Sequence, residues 1–253
     1  PILCLAGLTR TGADFDYVTP HLAGNRLIKL DYRGRGQSDF DPNWENYTLP
    51  VECRDVLELL AHLSLDKVAI LGTSRGGLNA MGLAMGAKDR LLGVALNDIG
   101  PALDPKGLDF IMGYLGRNPA AKTHAEAAAA MARTFTDFEG VPDSRWMQEA
   151  VNHYRQEPDG LKITYDPKLR DAVEAAGAQA APDLWPFFDA MAGLPLACMR
   201  GANSNLLTAE TLAEMQRRRP DMITAVVPRR GHIPFLDEPE AVAALQAWVE
   251  AMQ

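Results

Sequence analysis

The sequence predicts an α/β protein: a mostly parallel, doubly wound sheet with a helical insertion before its last two strands. Short apolar runs alternate with helix-patterned segments through residues 1–100, the rhythm of a sheet covered on both faces. Between Gly100 and Gly193 that rhythm stops; helical patterns separated by prolines and glycines take over, and no convincing buried strand is found. Strand patterns resume at Leu196–Arg200 and Ile223–Val227, so the middle reads as an insertion within one sheet, not as an independent domain. The expected division is a core of residues 1–100 and 192–253 and a helical cap of residues 101–191.

Each element has its own reason. Ile2–Ala6 is wholly apolar, as a strand buried on both faces must be. A turn over Gly7–Gly12 leads to a short helix expected at Asp14–Leu22, and Arg26–Tyr32 is the second strand. Val56, Leu59, Leu60 and Leu63 keep helical spacing, which predicts a helix over 50–64; Pro50 suits its first turn, where no N–H partner is missed. The run Val68–Leu71 ends in Gly72-Thr73-Ser74-Arg75-Gly76 and passes into a small-residue helix at Leu78–Met85. Leu91–Asp98 is the fourth strand. In the insertion, helices are expected at Ala125–Phe135, where alanine content favours them, and at Arg145–Tyr154, Pro167–Ala176 and Pro182–Met191. The last helix, Pro239–Met252, carries Val242, Leu245, Val249 and Met252 on one face.

Composition removes several classes of function. The 253 residues carry a net charge of −8 in scattered rather than blocked form, which argues against a nucleic-acid surface. No run of eighteen apolar residues exists to span a membrane. Cys4, Cys53 and Cys198 are odd in number, widely spaced and without metal-ligand spacing. Two of them fall in predicted strands, where a free cysteine acts as a small apolar residue, and a reduced, cytoplasmic setting follows. The sequence starts at Pro1 and enters a strand almost at once, so a targeting segment upstream would lie outside it. Gly34-Arg35-Gly36 lacks the third glycine and helix start of a dinucleotide fingerprint. The pairs Asp14/Asp16 and Asp39/Asp41 lack calcium-loop spacing and read as loop or capping residues.

Gly-x-Ser-x-Gly between a strand and a helix is where a chemical argument starts. Ser74 would sit on a sharp turn with its hydroxyl thrust out of the sheet's carboxyl edge, and Gly72 and Gly76 would be required where a Cβ meets neighbouring backbone. The Arg75 N–H, at the helix start, would point at the same spot and could stabilise an oxyanion. A serine hydroxyl becomes nucleophilic when an imidazole takes its proton. Of five histidines, His21 and His62 lie in predicted helices beside apolar residues, and nothing local marks His124 or His153 in the insertion. His232 directly follows the last strand, in Arg229-Arg230-Gly231-His232-Ile233-Pro234, at the sheet edge that also carries Ser74.

Together these segments resemble the α/β-hydrolase superfamily. Ala6-Gly7-Leu8 stands where that family has His-Gly and an oxyanion residue, and Asp31-Tyr32-Arg33-Gly34-Arg35-Gly36-Gln37-Ser38 resembles its Asp-x-Arg-Gly-x-Gly-x-Ser loop. Gly72–Gly76 is similar to its nucleophile elbow and Gly231-His232 to its histidine loop. Leu96-Asn97-Asp98-Ile99-Gly100-Pro101 resembles a sub-group of bacterial hydrolases with a helical cap. The resemblance implies the α/β-hydrolase fold, Ser74 as nucleophile, His232 as base, and the backbone N–H groups of Leu8 and Arg75 as oxyanion hole. It implies no metal or organic cofactor. The partner would be a small-molecule substrate: an ester, thioester, lactone or carbonyl-activated C–C bond. Haloalkane dehalogenation would need a carboxylate where Ser74 stands. Trp185, Phe187 and Phe188 read either as pocket lining or as core.

The acid departs from the family. Arg200-Gly201-Ala202-Asn203-Ser204-Asn205-Leu206-Leu207 resembles the family's Arg-Gly-x-x-Ser-Asp-x-Leu, with Asn205 at the aspartate position. An amide cannot stabilise the imidazolium that forms as serine gives up its proton. Three readings stay open. Asp98, ending the strand next after the elbow's, serves as the acid; Asn205 orients a neutral His232; or the chain is a non-catalytic, ligand-binding pseudo-hydrolase. A pair between Arg75 and Asp98 would weaken the first.

Overall fold

The computed structural model describes residues 1–180 and 182–253. In chain order, the first half runs β1 (Ile2–Leu5), β2 (Leu27–Leu30), α1 (Leu49–His62), β3 (Val68–Thr73), α2 (Arg75–Ala87) and β4 (Leu91–Asn97). Helices α3 (Pro105–Tyr114), α4 (His124–Thr134) and α5 (Asp143–His153) follow, then β5 (Tyr154–Glu157), β6 (Gly160–Ile163), α6 (Leu169–Gly177) and α7 (Trp185–Asp189). The chain closes with β7 (Leu196–Gly201), α8 (Ala209–Arg218), β8 (Ile223–Val227) and α9 (Pro239–Glu250).

The six strands expected from the apolar runs form one sheet in the order β2-β1-β3-β4-β7-β8, and every pairing is parallel. Successive strand side chains point to opposite faces, and here both faces are buried. Leu3, Leu5, Ile70, Val94 and Leu96 pack with α1, α2 and α8 through Val56, Leu60, Met81 and Met215. Ile2, Cys4, Ala69, Leu71 and Ala95 pack on the other face against Phe15 and, from α9, Leu245 and Trp248. That is why these strands read as unbroken apolar runs. The neighbours of β1 are β2 on one side and β3 on the other, so the winding direction reverses there and a crevice opens at the carboxyl ends of β1 and β3.

The segment between β4 and β7 differs from expectation in three places. It contains an antiparallel hairpin, β5–β6, where no strand was expected. Each of its strands is only four residues long and β5 is Tyr-Arg-Gln-Glu, so no apolar run announces it; Leu161 and Ile163 are nevertheless buried. Helix α3 was also unexpected, because Gly107 and Gly113 dilute its pattern; Asp104, accepting from the Lys106 N–H at 2.9 Å, and Pro105 start it. The helix expected at Pro182–Met191 is shorter, α7 alone, with Pro186 in its first turn. In the core, the helix expected at Asp14–Leu22 resolves into two 3₁₀ turns, Gly12–Asp16 and Thr19–Leu22, with Pro20 in the second. All three cysteines are free. Among the described residues no helix is long and apolar enough to cross a membrane, and no group of His, Cys, Asp or Glu could hold a metal ion.

Candidate active site

The turn between β3 and α2 is built by two glycines. A Cβ on Gly76 would lie 1.9 Å from the Leu5 carbonyl oxygen of β1, and one on Gly72 would lie 2.6 Å from the Gly76 carbonyl oxygen. Those absences let helix and strand approach until Ser74 is forced into φ 49°, ψ −113°, a conformation that non-glycine residues rarely adopt. The Ser74 N–H donates to the Asn97 carbonyl at 3.0 Å, tying the turn to the end of β4.

His232 follows β8 and reaches back to this turn. Its Nε2 lies 3.0 Å from Ser74 Oγ and its Nδ1 lies 2.7 Å from Asp98 Oδ2. With the Nδ1 proton donated to the carboxylate, Nε2 is free to accept from the serine hydroxyl. Asp98 is fully buried just past β4, at φ 55°, and two further donors satisfy its carboxylate. The Gly201 N–H reaches Oδ1 at 2.8 Å and the Ser204 hydroxyl reaches Oδ2 at 2.6 Å. Ser204 Oγ in turn accepts from the N–H groups of Leu206 and Leu207, at 3.2 Å each. The loop after β7 therefore supplies donors to a carboxylate that comes from β4. Asn205 lines the pocket, and no hydrogen bond joins its side chain to His232 among the described residues.

Leu8 and Arg75 sit on the loops after β1 and β3, and neither backbone N–H donates to another protein group among the described residues. The Leu8 carbonyl accepts from Arg35 Nε at 3.0 Å. The Arg75 guanidinium pairs with Glu52 at 2.8 Å, not with Asp98, and reaches the Tyr47 carbonyl at 3.4 Å. Glu52 and Arg35 are fully buried and 2.8 Å apart. Burial would push the Glu52 carboxyl up, but the Arg75 and Arg35 guanidiniums beside it hold it below the usual carboxylate range.

A cavity of about 320 Å³ opens over Ser74 and His232. Its apolar wall comes largely from the segment between β4 and β7: Phe110, Ile111 and Tyr114 on α3, Met131 on α4, and Phe135. This explains why Phe110 and Tyr114 remain exposed apolar side chains. Trp185, Phe187 and Phe188 pack into the core and do not line it.

Sequence reasoning missed a charged cluster beside this cavity, of which Arg10 and His153 line it. Arg10, two residues past Leu8, donates to Asp14 at 2.6 Å, to Glu149 at 2.7 Å and to His153 Nε2; Tyr17 donates to Glu149 at 2.9 Å. Burial, reinforced by Arg10, pushes His153 down to about 4, and burial pushes Asp14 up to about 6. The i,i+4 spacing of Glu149 and His153 on one helix face was the available signal. Arg117 also lines the cavity and makes no salt bridge among the described residues. Asp137 lies against the His232 loop, where a Cβ on Gly231 would come within 1.6 Å of its carboxylate. The assembly can carry a proton from a hydroxyl to an imidazole backed by a carboxylate, beside two free N–H donors that suit a developing oxyanion.

Comparison with known proteins agrees with this fold. A family model described as alpha/beta hydrolase family matches residues 2–245. The chain is 37% identical over 251 residues to the 3-hydroxybutyrate-oligomer hydrolase of Cupriavidus necator, covering 96% of this chain and 85% of the relative. It is 26% identical over 236 residues to the 2-(acetamidomethylene)succinate hydrolase of Mesorhizobium japonicum, covering 91% and 81% respectively. The crystal structure of an alpha/beta hydrolase from Novosphingobium aromaticivorans superposes with a TM-score of 0.92 at 37% identity, covering 99% of this chain and 89% of that one.

Proposed function

The chain belongs to the alpha/beta hydrolase family, and from that premise we propose that it hydrolyses small carboxylic esters through a Ser74 acyl-enzyme. Ser74 Oγ attacks the ester carbonyl while His232 Nε2 takes its proton; Asp98 stabilises the imidazolium, and the Leu8 and Arg75 N–H groups receive the oxyanion. His232 then protonates the departing alcohol, and water, activated by the same imidazole, releases the acid and restores the serine. One observation carries this reading: the continuous hydrogen-bonded path from Ser74 Oγ through His232 to Asp98, at 3.0 and 2.7 Å. It also favours the enzyme over a non-catalytic binding protein, since Asn205, the main support for that alternative, need not supply the acid.

Oxoesters with a free carboxylate head the list of substrates, ahead of thioesters, lactones and C–C bonds. The cavity wall is largely apolar; Arg10 is committed to Asp14 and Glu149, whereas Arg117, an exposed cation on the lining, makes no salt bridge among the described residues. The Cupriavidus relative acts on oligomers of 3-hydroxybutyrate, which present such a carboxylate. The test is intact-mass analysis after fluorophosphonate treatment, followed by hydrolysis of a linear hydroxyacid trimer as free acid and as methyl ester. Single labelling lost in Ser74→Ala, with the free acid preferred and that preference lost in Arg117→Gln, is expected. A folded wild-type chain that takes no label overturns the serine mechanism. Equal turnover of acid and methyl ester overturns the substrate class.

A further inference from the structure

Leu8 and Arg75 lie on separate loops, and a hole made of two backbone donors works only if their spacing is held before the charge develops. We propose that Glu52 is the positioning residue that holds them together. The inference rests on the serine mechanism above and concerns how its oxyanion hole is kept in register.

The path is continuous and buried. Arg35 Nε donates to the Leu8 carbonyl at 3.0 Å, and Arg35 Nη2 donates to Glu52 Oε1 at 2.8 Å. Glu52 Oε2 accepts from Arg75 Nε at 2.8 Å and from Asn79 at 3.0 Å. Arg35 Nη1 is taken by the Arg33 carbonyl at 2.8 Å, so the guanidinium cannot swing without breaking three bonds. One carboxylate thus uses each oxygen on a different arginine, one arginine holding Leu8 by its backbone and the other being the second donor residue itself. Stability alone is a poor reason for such a cluster, since well-packed apolar residues often serve a buried site as well as paired charges do. What apolar packing lacks is directionality. A planar carboxylate between two planar guanidiniums fixes distance and angle together. Glutamine cannot replace it, because its amide offers one acceptor and turns N–H groups toward the second arginine.

Two ketones of identical carbon skeleton test this. A trifluoromethyl ketone forms a hemiketal with Ser74 and places an oxyanion in the hole, whereas the parent methyl ketone binds without needing it. In Glu52→Gln the trifluoromethyl ketone is expected to bind at least about tenfold more weakly, with methyl ketone affinity unchanged and kcat falling while KM holds. Equal changes for the two ketones, or none, overturn the proposal. Should Glu52→Gln fail to fold, Glu52→Gln with Arg75→Met removes one stranded cation and keeps the Arg75 backbone N–H. The same selective loss is expected there, and wild-type affinity for the trifluoromethyl ketone overturns the proposal. A wild-type chain that binds the two ketones equally overturns the serine mechanism itself, and this inference with it.

Discussion

At the scale of single residues, the acid is the point where the sequence leaves three readings open. The chain places an amide, Asn205, where the resemblance leads one to look for an aspartate, and a buried carboxylate, Asp98, one strand earlier. Asp98→Asn is expected to lower kcat by roughly 10³–10⁴-fold while leaving KM near wild type, because the imidazolium loses the carboxylate that accepts from its Nδ1. Asn205→Asp is expected to change kcat by no more than about twofold, since its side chain makes no bond to His232. Steady-state kinetics on one chromogenic ester compares both. Ser74 and His232, which the structure brings to 3.0 Å of each other, stood out as candidates because each is marked locally, by the flanking glycines and by its place after a strand. For the acid the sequence narrowed the choice to Asp98 or Asn205 and no further, because the choice depends on which of two neighbouring loops, after β4 or after β7, turns inward. Here Ser204 and the Gly201 N–H make the β7 loop a donor to Asp98, and pairwise spacing along a chain does not encode that choice.

At the scale of elements, glycine positions separate what the fold requires from what it tolerates. Gly76→Ala would set a methyl 1.9 Å from a strand carbonyl, where only movement of α2 or β1 could relieve it. Loss of soluble folded protein, or a fall in Tm of at least about 10 °C, is expected from a clash with the Leu5 backbone. A Cβ added at Gly86, in the same helix, would meet nothing within 4 Å, and the backbone there has an ordinary helical φ. Gly86→Ala is expected to stabilise by about 0.4–1 kcal/mol, read as a small rise in Tm, by restricting the unfolded chain. The same contrast accounts for which elements the sequence disclosed. The central strands β1, β3, β4 and β7 are almost wholly buried and identify themselves, and the edge strands β2 and β8 still carry short apolar runs. The β5–β6 hairpin has two strands of four residues, β5 polar and partly exposed and β6 buried against α4, α5 and the neighbouring helices, so pattern alone could not reveal it.

Across the whole molecule, the segment between β4 and β7 is fastened over the sheet by charged and polar contacts as well as by apolar packing. Glu149 and His153 of α5 meet Arg10 from the loop after β1, and Arg145 meets Asp237 beyond the His232 loop. Such fastening has a pH signature. His153 is held neutral, with its folded value near 4 against an ordinary 6.5. Between those values the unfolded chain carries a proton that the folded chain does not, so this residue's contribution is intact above about 6.5 and is lost as pH falls toward 4. Asp14, raised to about 6, runs the other way: the folded chain holds its proton, and its contribution fades as pH rises through 6. The two partly cancel in the wild type, which hides both. Comparing wild type with His153→Gln from pH 7 to pH 4 isolates the histidine, because Asp14 is present in each. The Tm gap between them is expected to move in the variant's favour as pH falls, since only the wild type must keep an imidazole uncharged. A gap that stays constant across that range would mean that His153 titrates normally and that α5 is held by the Arg10–Glu149 pair without it.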